Sequence, residues 1–354
     1  MSTPNNLNIP SGDSTVVVRA FDSVDPSKSR IPAAFFLSPV LEGHEEIFFP
    51  AYAFLIENPR TGRRVMFDLG VREPSSYPPQ VQQMFEHPGV EMVVHDVVDQ
   101  LVKGGVDLKS IDTVIWSHTH VDHVGDVSRF PPLTELVVGR GTNVSTYPSQ
   151  PDSGLREEDF QGRSVRELTY GNLKIGGFDA LDFFGDGSLY LLDAPGHIGG
   201  HTCGLARVTP TSFVFLGADI SHHPGEFRPS TLLHTIIACP GDILSAANKT
   251  ISKEHFASLA SEPFDLAKRD RPMLDIAEHG VHENPAVARE AVQKMLPFDA
   301  HPDVFVVIAH DQTLVGHLPL FPEIINDWKK AGLKEKVAWS SFQPENTAWR
   351  YSKA

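Results

Sequence analysis

Apolar residues recur along this chain with two different periods. From Thr15 the pattern alternates, with Val16, Val18 and Ala20 on one face, as in a half-buried strand. Ile47 to Ile56 reads as a second strand, followed by a polar turn over Asn58–Gly62 and a further strand from Arg64 to Asp68, so these two form a hairpin. Pro79 to Gly104 reads as helical, with Val94, Val97, Val98 and Leu101 at helical spacing. Short apolar strands are predicted over Thr113–Ser117, Leu136–Gly139, Leu189–Leu192, Phe213–Leu216 and Asp303–Ala309, and a late helix over Ile324–Ala331. Alternation of strands and helices, with hairpins first, favours a layered α/β fold.

Residues 1–14 are polar and read as a flexible tail, with neither a signal peptide nor an anchor. The remainder, 15–354, reads as one domain. Within it, 223–302 is an insertion with many prolines and short helical patterns. There is no internal repeat and no apolar window of membrane-spanning length.

Composition narrows the function. The net charge of −15 makes nucleic acid and anionic membranes improbable partners. Two cysteines, Cys203 and Cys239, cannot form a secreted-type disulfide framework and suggest a cytoplasmic protein. Cys203 is expected to be a small buried residue.

The strongest chemical signal is His118-Thr119-His120-Val121-Asp122-His123, at the end of an apolar strand. Imidazole and carboxylate suit zinc, iron or manganese. In extended chain, residues two apart point the same way, so His118 and His120 could share one ion, with Asp122 and His123 facing a second. A solvated histidine-rich loop is the plain alternative. Three other strands also end in a ligand-type residue: Leu191-Leu192-Asp193-Ala194-Pro195-Gly196-His197, Phe215-Leu216-Gly217-Ala218-Asp219 and Val307-Ile308-Ala309-His310. One such histidine would be unremarked structure; four strand ends in order suggest one site at a sheet edge.

This order of motifs resembles the metallo-β-lactamase superfamily, over roughly Thr15 to His317. Within it the resemblance is to quorum-quenching N-acyl homoserine lactone lactonases and to fungal lactamases. It implies a four-layer αββα sandwich. It also implies two divalent metal ions, zinc first and iron or manganese next. His118, His120 and His197 would hold one ion, and Asp122, His123 and His310 the other, with Asp219 bridging. Asp68 and His201 match supporting residues of the family. Asp219 follows His197 by 22 positions, as in the lactonases, whereas His222 stands where those enzymes carry a substrate-contacting tyrosine. The implied reaction is opening of a lactone or lactam by a metal-bridging hydroxide. Asp122 would pass a proton to the leaving group, and His222 would donate a hydrogen bond to the oxyanion. The alternatives are a glyoxalase II-like thioesterase and a mononuclear iron enzyme like the persulfide dioxygenases. The 44 residues after His310 are short for the glutathione-binding tail of the first, and the full ligand set argues against the second. A non-catalytic scaffold would be expected to have lost ligands.

Phe35, Phe36, Phe48, Phe49, Phe183 and Phe184 are candidates for an apolar pocket, although paired phenylalanines on strands are more often core. His234, His255, His279, His282 and His301 in the insertion read as ordinary surface residues. A homodimer is compatible with the insertion.

Overall fold

The structure is a computed structural model and describes residues 6–40, 45–87, 89–238 and 271–343. Cys239, His255, the first five residues of the tail and residues 239–270 of the insertion lie outside the described residues.

Two six-stranded sheets face each other. The first runs in the order β1 (Val17–Asp22), β5 (Tyr52–Glu57), β6 (Arg64–Phe67), β7 (Thr113–Trp116), β8 (Glu135–Val138), β9 (Val165–Glu167). The second runs β10 (Lys174–Ile175), β11 (Phe178–Asp182), β12 (Leu189–Asp193), β13 (Thr202–Arg207), β14 (Phe213–Ala218), β16 (Val304–Ile308). Two small ribbons flank them, pairing β2 (Arg30–Pro32) with β4 (Glu46–Phe48) and β3 (Leu37–Ser38) with β15 (Asp275–Ile276).

The period of two explains the layers. Val65 and Phe67, Ile115, Val214 and Leu216, Phe305 and Val307 point between the sheets and form one core. Their neighbours point outward. Met66, Val114 and Trp116 meet Val97, Val98 and Leu101 of the helix Val97–Lys103 on one side. Phe213, Phe215, Val304 and Val306 meet Ala288, Val292 and Met295 of the helix Pro285–Asp299 on the other. Helix, sheet, sheet, helix is the αββα sandwich expected from the motifs. Within the described residues no helix is long and apolar enough to cross a membrane.

Three predicted elements differ. The run Ile47–Ile56 divides into β4 and β5, because Pro50 interrupts the ladder and its carbonyl is used elsewhere. The region 79–104 contains two helices, Pro79–Phe85 and Val97–Lys103; between them Val94 bridges Val24, and Asp96 caps the second helix by accepting from Asp99 N–H at 2.9 Å. The stretch Ile324–Ala331 forms turns, and the late helix is Leu333–Val337. Here the chain is tied along β1: Phe321 N–H donates to the Ala20 carbonyl at 2.7 Å and Ile325 N–H to the Val18 carbonyl at 3.0 Å, while the Asn326 side chain accepts from Val18 N–H at 2.9 Å and donates to the Val16 carbonyl at 2.7 Å. Strand β13, buried throughout, was not predicted: Thr202-Cys203-Gly204-Leu205-Ala206-Arg207 lacks a clear alternation. At the start of the chain, residues 6–16 carry no helix or strand, yet Leu7 is buried and its carbonyl accepts from Gly176 N–H at 2.8 Å.

Candidate metal centre

Strands β6, β7 and β8 run parallel, as do β14 and β16, so their C-terminal ends gather at one edge of the sandwich. Chain leaves β6 at Asp68, which has a left-handed φ of 62°, and leaves β7 at Ser117 and His118. Asp68 is buried and accepts three hydrogen bonds: Ser117 N–H at 2.7 Å, Ser117 Oγ–H at 2.8 Å and His123 Nδ1–H at 2.8 Å. Burial raises its pKa, and His123 and these bonds oppose the rise. The one-turn helix Val121–Val124 then returns the chain, and His123 O accepts from Leu69 N–H at 2.8 Å.

In the second sheet a register shift lies between Leu216 and Ala218, and a Cβ on Gly217 would approach Ile308 to 2.9 Å. This bulge turns Asp219 into the site. His201 holds it there, accepting from Asp219 N–H at its Nε2 (3.1 Å) while its Nδ1–H donates to the Ala194 carbonyl (2.9 Å). Burial pushes His201 down to about 4, which keeps the ring neutral and suited to those two roles. His310, after β16, donates from Nδ1 to the Pro50 carbonyl at 2.8 Å and so aims Nε2 inward.

All the predicted strand-end residues meet. Asp219 Oδ2 lies 3.6 Å from His118 Nε2 and 3.4 Å from His197 Nε2, and His197 Nε2 is 2.8 Å from His120 Nδ1. Asp219 Oδ1 lies 3.0 Å from His123 Nε2 and 3.3 Å from His310 Nε2, which is also 3.3 Å from Asp122 Oδ2. Two donor groups therefore share one carboxylate: His118, His120, His197 and Asp219, and Asp122, His123, Asp219 and His310.

The donors fit cations. His118 Nε2, His123 Nε2 and Asp219 Oδ1 are buried and satisfy no hydrogen bond among the described residues, although they crowd within a few ångströms. Unpaired buried donors and acceptors are costly, and groups converging without bonding each other suit a shared third partner. Burial and neighbouring rings hold His118 and His197 well below the ordinary histidine value, and burial lowers His120, leaving lone pairs to coordinate. In the other group, burial opposes charge on His123 and His310, but Asp219 with Asp68 or Asp122 outweighs it. His123 is held well above its ordinary value and His310 at about 10. The carboxylates thus demand positive charge at this position.

Two further histidines lie beside this centre, and one of them, His282, departs from expectation. His222 is buried, its Nε2 lies 3.1 Å from Asp219 Oδ2, and its ring stacks on Phe36 at 4.4 Å. With Nε2–H donated to Asp219, a neutral ring presents Nδ1 as an acceptor. Donation to an oxyanion, the role expected for His222, then requires a ring carrying both protons. His282, expected on the surface, is 6% exposed and its Nδ1 is 3.3 Å from His197 Nδ1. His197, His222 and His282 form a third group of close ligand-type atoms. No spacing in the sequence marked His282, which reaches the centre from 85 positions beyond His197. His279 is exposed and His234 and His301 are half-buried, while Cys203 is buried with its thiol pushed up by burial.

A cavity of about 500 Å³ opens onto His120, Asp122, Asp219, His222 and His310. Ile31, Phe36, Ile47, Phe49, Val81, Met84 and Met92 form its apolar wall, and Asn143, Gln150, Asp152 and Glu283 are among its polar groups. Of the six candidate phenylalanines, Phe36 and Phe49 line it. Phe183 and Phe184 pack against the inter-sheet core under Arg63, and Phe35 and Phe48 are partly exposed.

Residues 47–217 match the metallo-beta-lactamase superfamily. The chain is 38% identical to gamma-lactamase FDB1 of Fusarium pseudograminearum over 94% of its own length and 83% of that protein. The chain belongs to the metallo-beta-lactamase superfamily. It is also 38% identical to metallo-hydrolase mfmC of Annulohypoxylon moriforme, over 96% of this chain and 91% of that one. An AiiA variant from B. thuringiensis, solved with N-decanoyl-L-homoserine at its active site, aligns with a TM-score of 0.56 at 15% identity, covering 88% of this chain and all (100%) of that one. At that identity the likeness concerns the fold. As a superfamily member with hydrolase relatives and clustered metal-ligand residues, the protein is a metal-dependent hydrolase.

Proposed function

We propose that this hydrolase holds two divalent ions, zinc first among them, and opens a small cyclic amide or cyclic ester. The observation that carries the reading is the division of Asp219: Oδ2 faces His118 and His197, and Oδ1 faces His123 and His310. One carboxylate between two donor sets suits a bridging ligand. His118, His120 and His197 would hold one ion, and Asp122, His123 and His310 the other. When bound, such ions supply Lewis-acid polarisation of a carbonyl and a hydroxide nucleophile at neutral pH.

The protein's own groups do the rest. Asp122 lines the cavity, with Oδ2 3.3 Å from His310 Nε2, so it is placed to move a proton to the departing nitrogen or oxygen. The need is greater for an amide, whose amine leaves only when protonated. His222, packed on Phe36, closes the wall beside Asp219 and orients substrate against it. Ile47, Phe49 and Met84 exclude water from the apolar body of a ring. Asp152 and Glu283 on the lining favour a neutral substrate over an anionic one.

The names gamma-lactamase, for two relatives including one from Gibberella moniliformis, support the cyclic amide. The test is a metal count followed by a panel of γ-lactams, lactones and thioesters, each with and without chelator. About two ions per chain and chelator-sensitive lactam or lactone opening are expected. About one iron per chain, or turnover confined to thioesters, would overturn the proposal.

A further inference from the structure

We infer that His282 is a positioning residue that fixes the ring of His197, and that the segment carrying it is a strut for the metal centre. The inference rests on His197 being a metal ligand through Nε2. An imidazole using Nε2 in this way carries its proton on Nδ1, and that proton needs an acceptor to fix ring and tautomer. His197 Nε2 faces Asp219 and His120, while its Nδ1 meets His282 Nδ1 at 3.3 Å. His282 is thus placed to accept where a carboxylate or carbonyl serves in other metal sites.

The backbone around it is tied to the same turn. Glu283 N–H donates to the His197 carbonyl at 2.7 Å, and Asn284 N–H donates to the Gly196 carbonyl at 3.0 Å. Glu283 Oε2 accepts from Gly199 N–H at 2.7 Å. Gly196 has φ of 127°, and a Cβ there would sit 2.2 Å from Ala288 N, so the turn presses directly on the next helix. That helix, Pro285–Asp299, is capped by Asn284 and packs Val292 and Met295 against the second sheet. The turn bearing His197 is therefore braced by a rigid element, as a pre-organised ligand requires.

Zinc affinity, measured by competition with a chromophoric chelator in wild type, His282→Phe and His282→Asn, tests this without substrate. Phe keeps the ring's bulk and removes the acceptor; the Asn carbonyl restores it. His282→Phe should weaken the ion held by His118, His120 and His197 by about 10–100-fold, and His282→Asn should recover most of the loss. Should His282→Phe fail to fold, His282→Ala carries the same comparison. Wild-type affinity in the variant lacking the acceptor, or an Asn variant as weak as it, overturns the role of His282. A wild type that takes up no divalent ion overturns the metal-centre reading itself.

Discussion

Asp68 Oδ2 accepts a 2.8 Å hydrogen bond from His123 Nδ1, and this bond joins the end of β6 to the loop after β7. It leaves His123 Nε2 aimed at Asp219. Asp68 is also the acceptor for Ser117 N–H and Oγ–H, so its removal orphans several buried donors at once. Each unsatisfied donor costs about 1–3 kcal/mol. Asp68→Ala should lower unfolding stability by roughly 2–5 kcal/mol and metal affinity by about 10–100-fold. Asp68→Asn would set its NH₂ or carbonyl against three donors and should fall between. Thermal unfolding and chelator competition measure the two effects; wild-type metal retention in both variants would show that His123 needs no such partner.

Asp219 is the residue on which both donor groups depend. Asp219→Asn keeps the volume but weakens one shared oxygen. The metal content, by mass spectrometry of the desalted protein, should drop from about two to one or fewer per chain. Turnover of any lactam or lactone should be lost with it, and circular dichroism should be unchanged. A variant still holding two ions would place the bridge elsewhere.

The legible part of the protein was the part where chemistry and period coincide. The strands ending in His118, His197, Asp219 and His310 are short apolar runs, and their order alone grouped these residues before any geometry. Alternation also put Val16, Val18 and Ala20 on one face, and all three lie in the core between the sheets. What escaped depended on distant partners. Pro50 breaks a predicted strand because its carbonyl serves His310, 260 positions away. The stretch around Asn326 runs in turns along β1, where Asn326 bonds Val18, 308 positions away. His282 sits in a loop with no period, and only the packing of the helix Pro285–Asp299 brings it to His197.

Asp22, which is not among the proposed ligands, gives a further pH dependence. It is buried, and desolvation raises its pKa to about 7 against bonds to its Oδ1 from Ala51 and Val24 N–H and against the charge of His310. The unfolded chain loses this proton near the ordinary value of 3.8. Between the two values the folded state binds more protons, so stability falls as pH rises through that window and the penalty is complete above about pH 7. Asp22→Asn removes the titration and keeps the Oδ1 acceptor. It should stabilise the protein by roughly 2–4 kcal/mol at pH 8 and by little at pH 4. Denaturant unfolding of both proteins at each pH reads the difference, which cancels the acid loss of metal common to both. A pH-independent difference would remove Asp22 as its source.

The apolar wall makes the substrate reading testable without touching a ligand. Ile47 lies on β4, is 7% exposed, and lines the same cavity as the donor groups. Ile47→Ala removes three carbon groups from the surface that would cover a ring, worth about 1–2 kcal/mol of contact where substrate covers part of them. Such contact binds ground state and transition state alike, so its loss should raise KM for an apolar lactam or lactone by about 5–30-fold and leave kcat nearly unchanged. Metal content should remain that of the wild type, since Ile47 is not one of the donor residues. The control is a small polar lactam with no apolar body, whose KM should barely move. Equal effects on both substrates would mean that Ile47 supports the fold of the β2–β4 ribbon and not the substrate. A fall in kcat with KM constant would place the apolar contact in the transition state only, contrary to a wall formed before reaction.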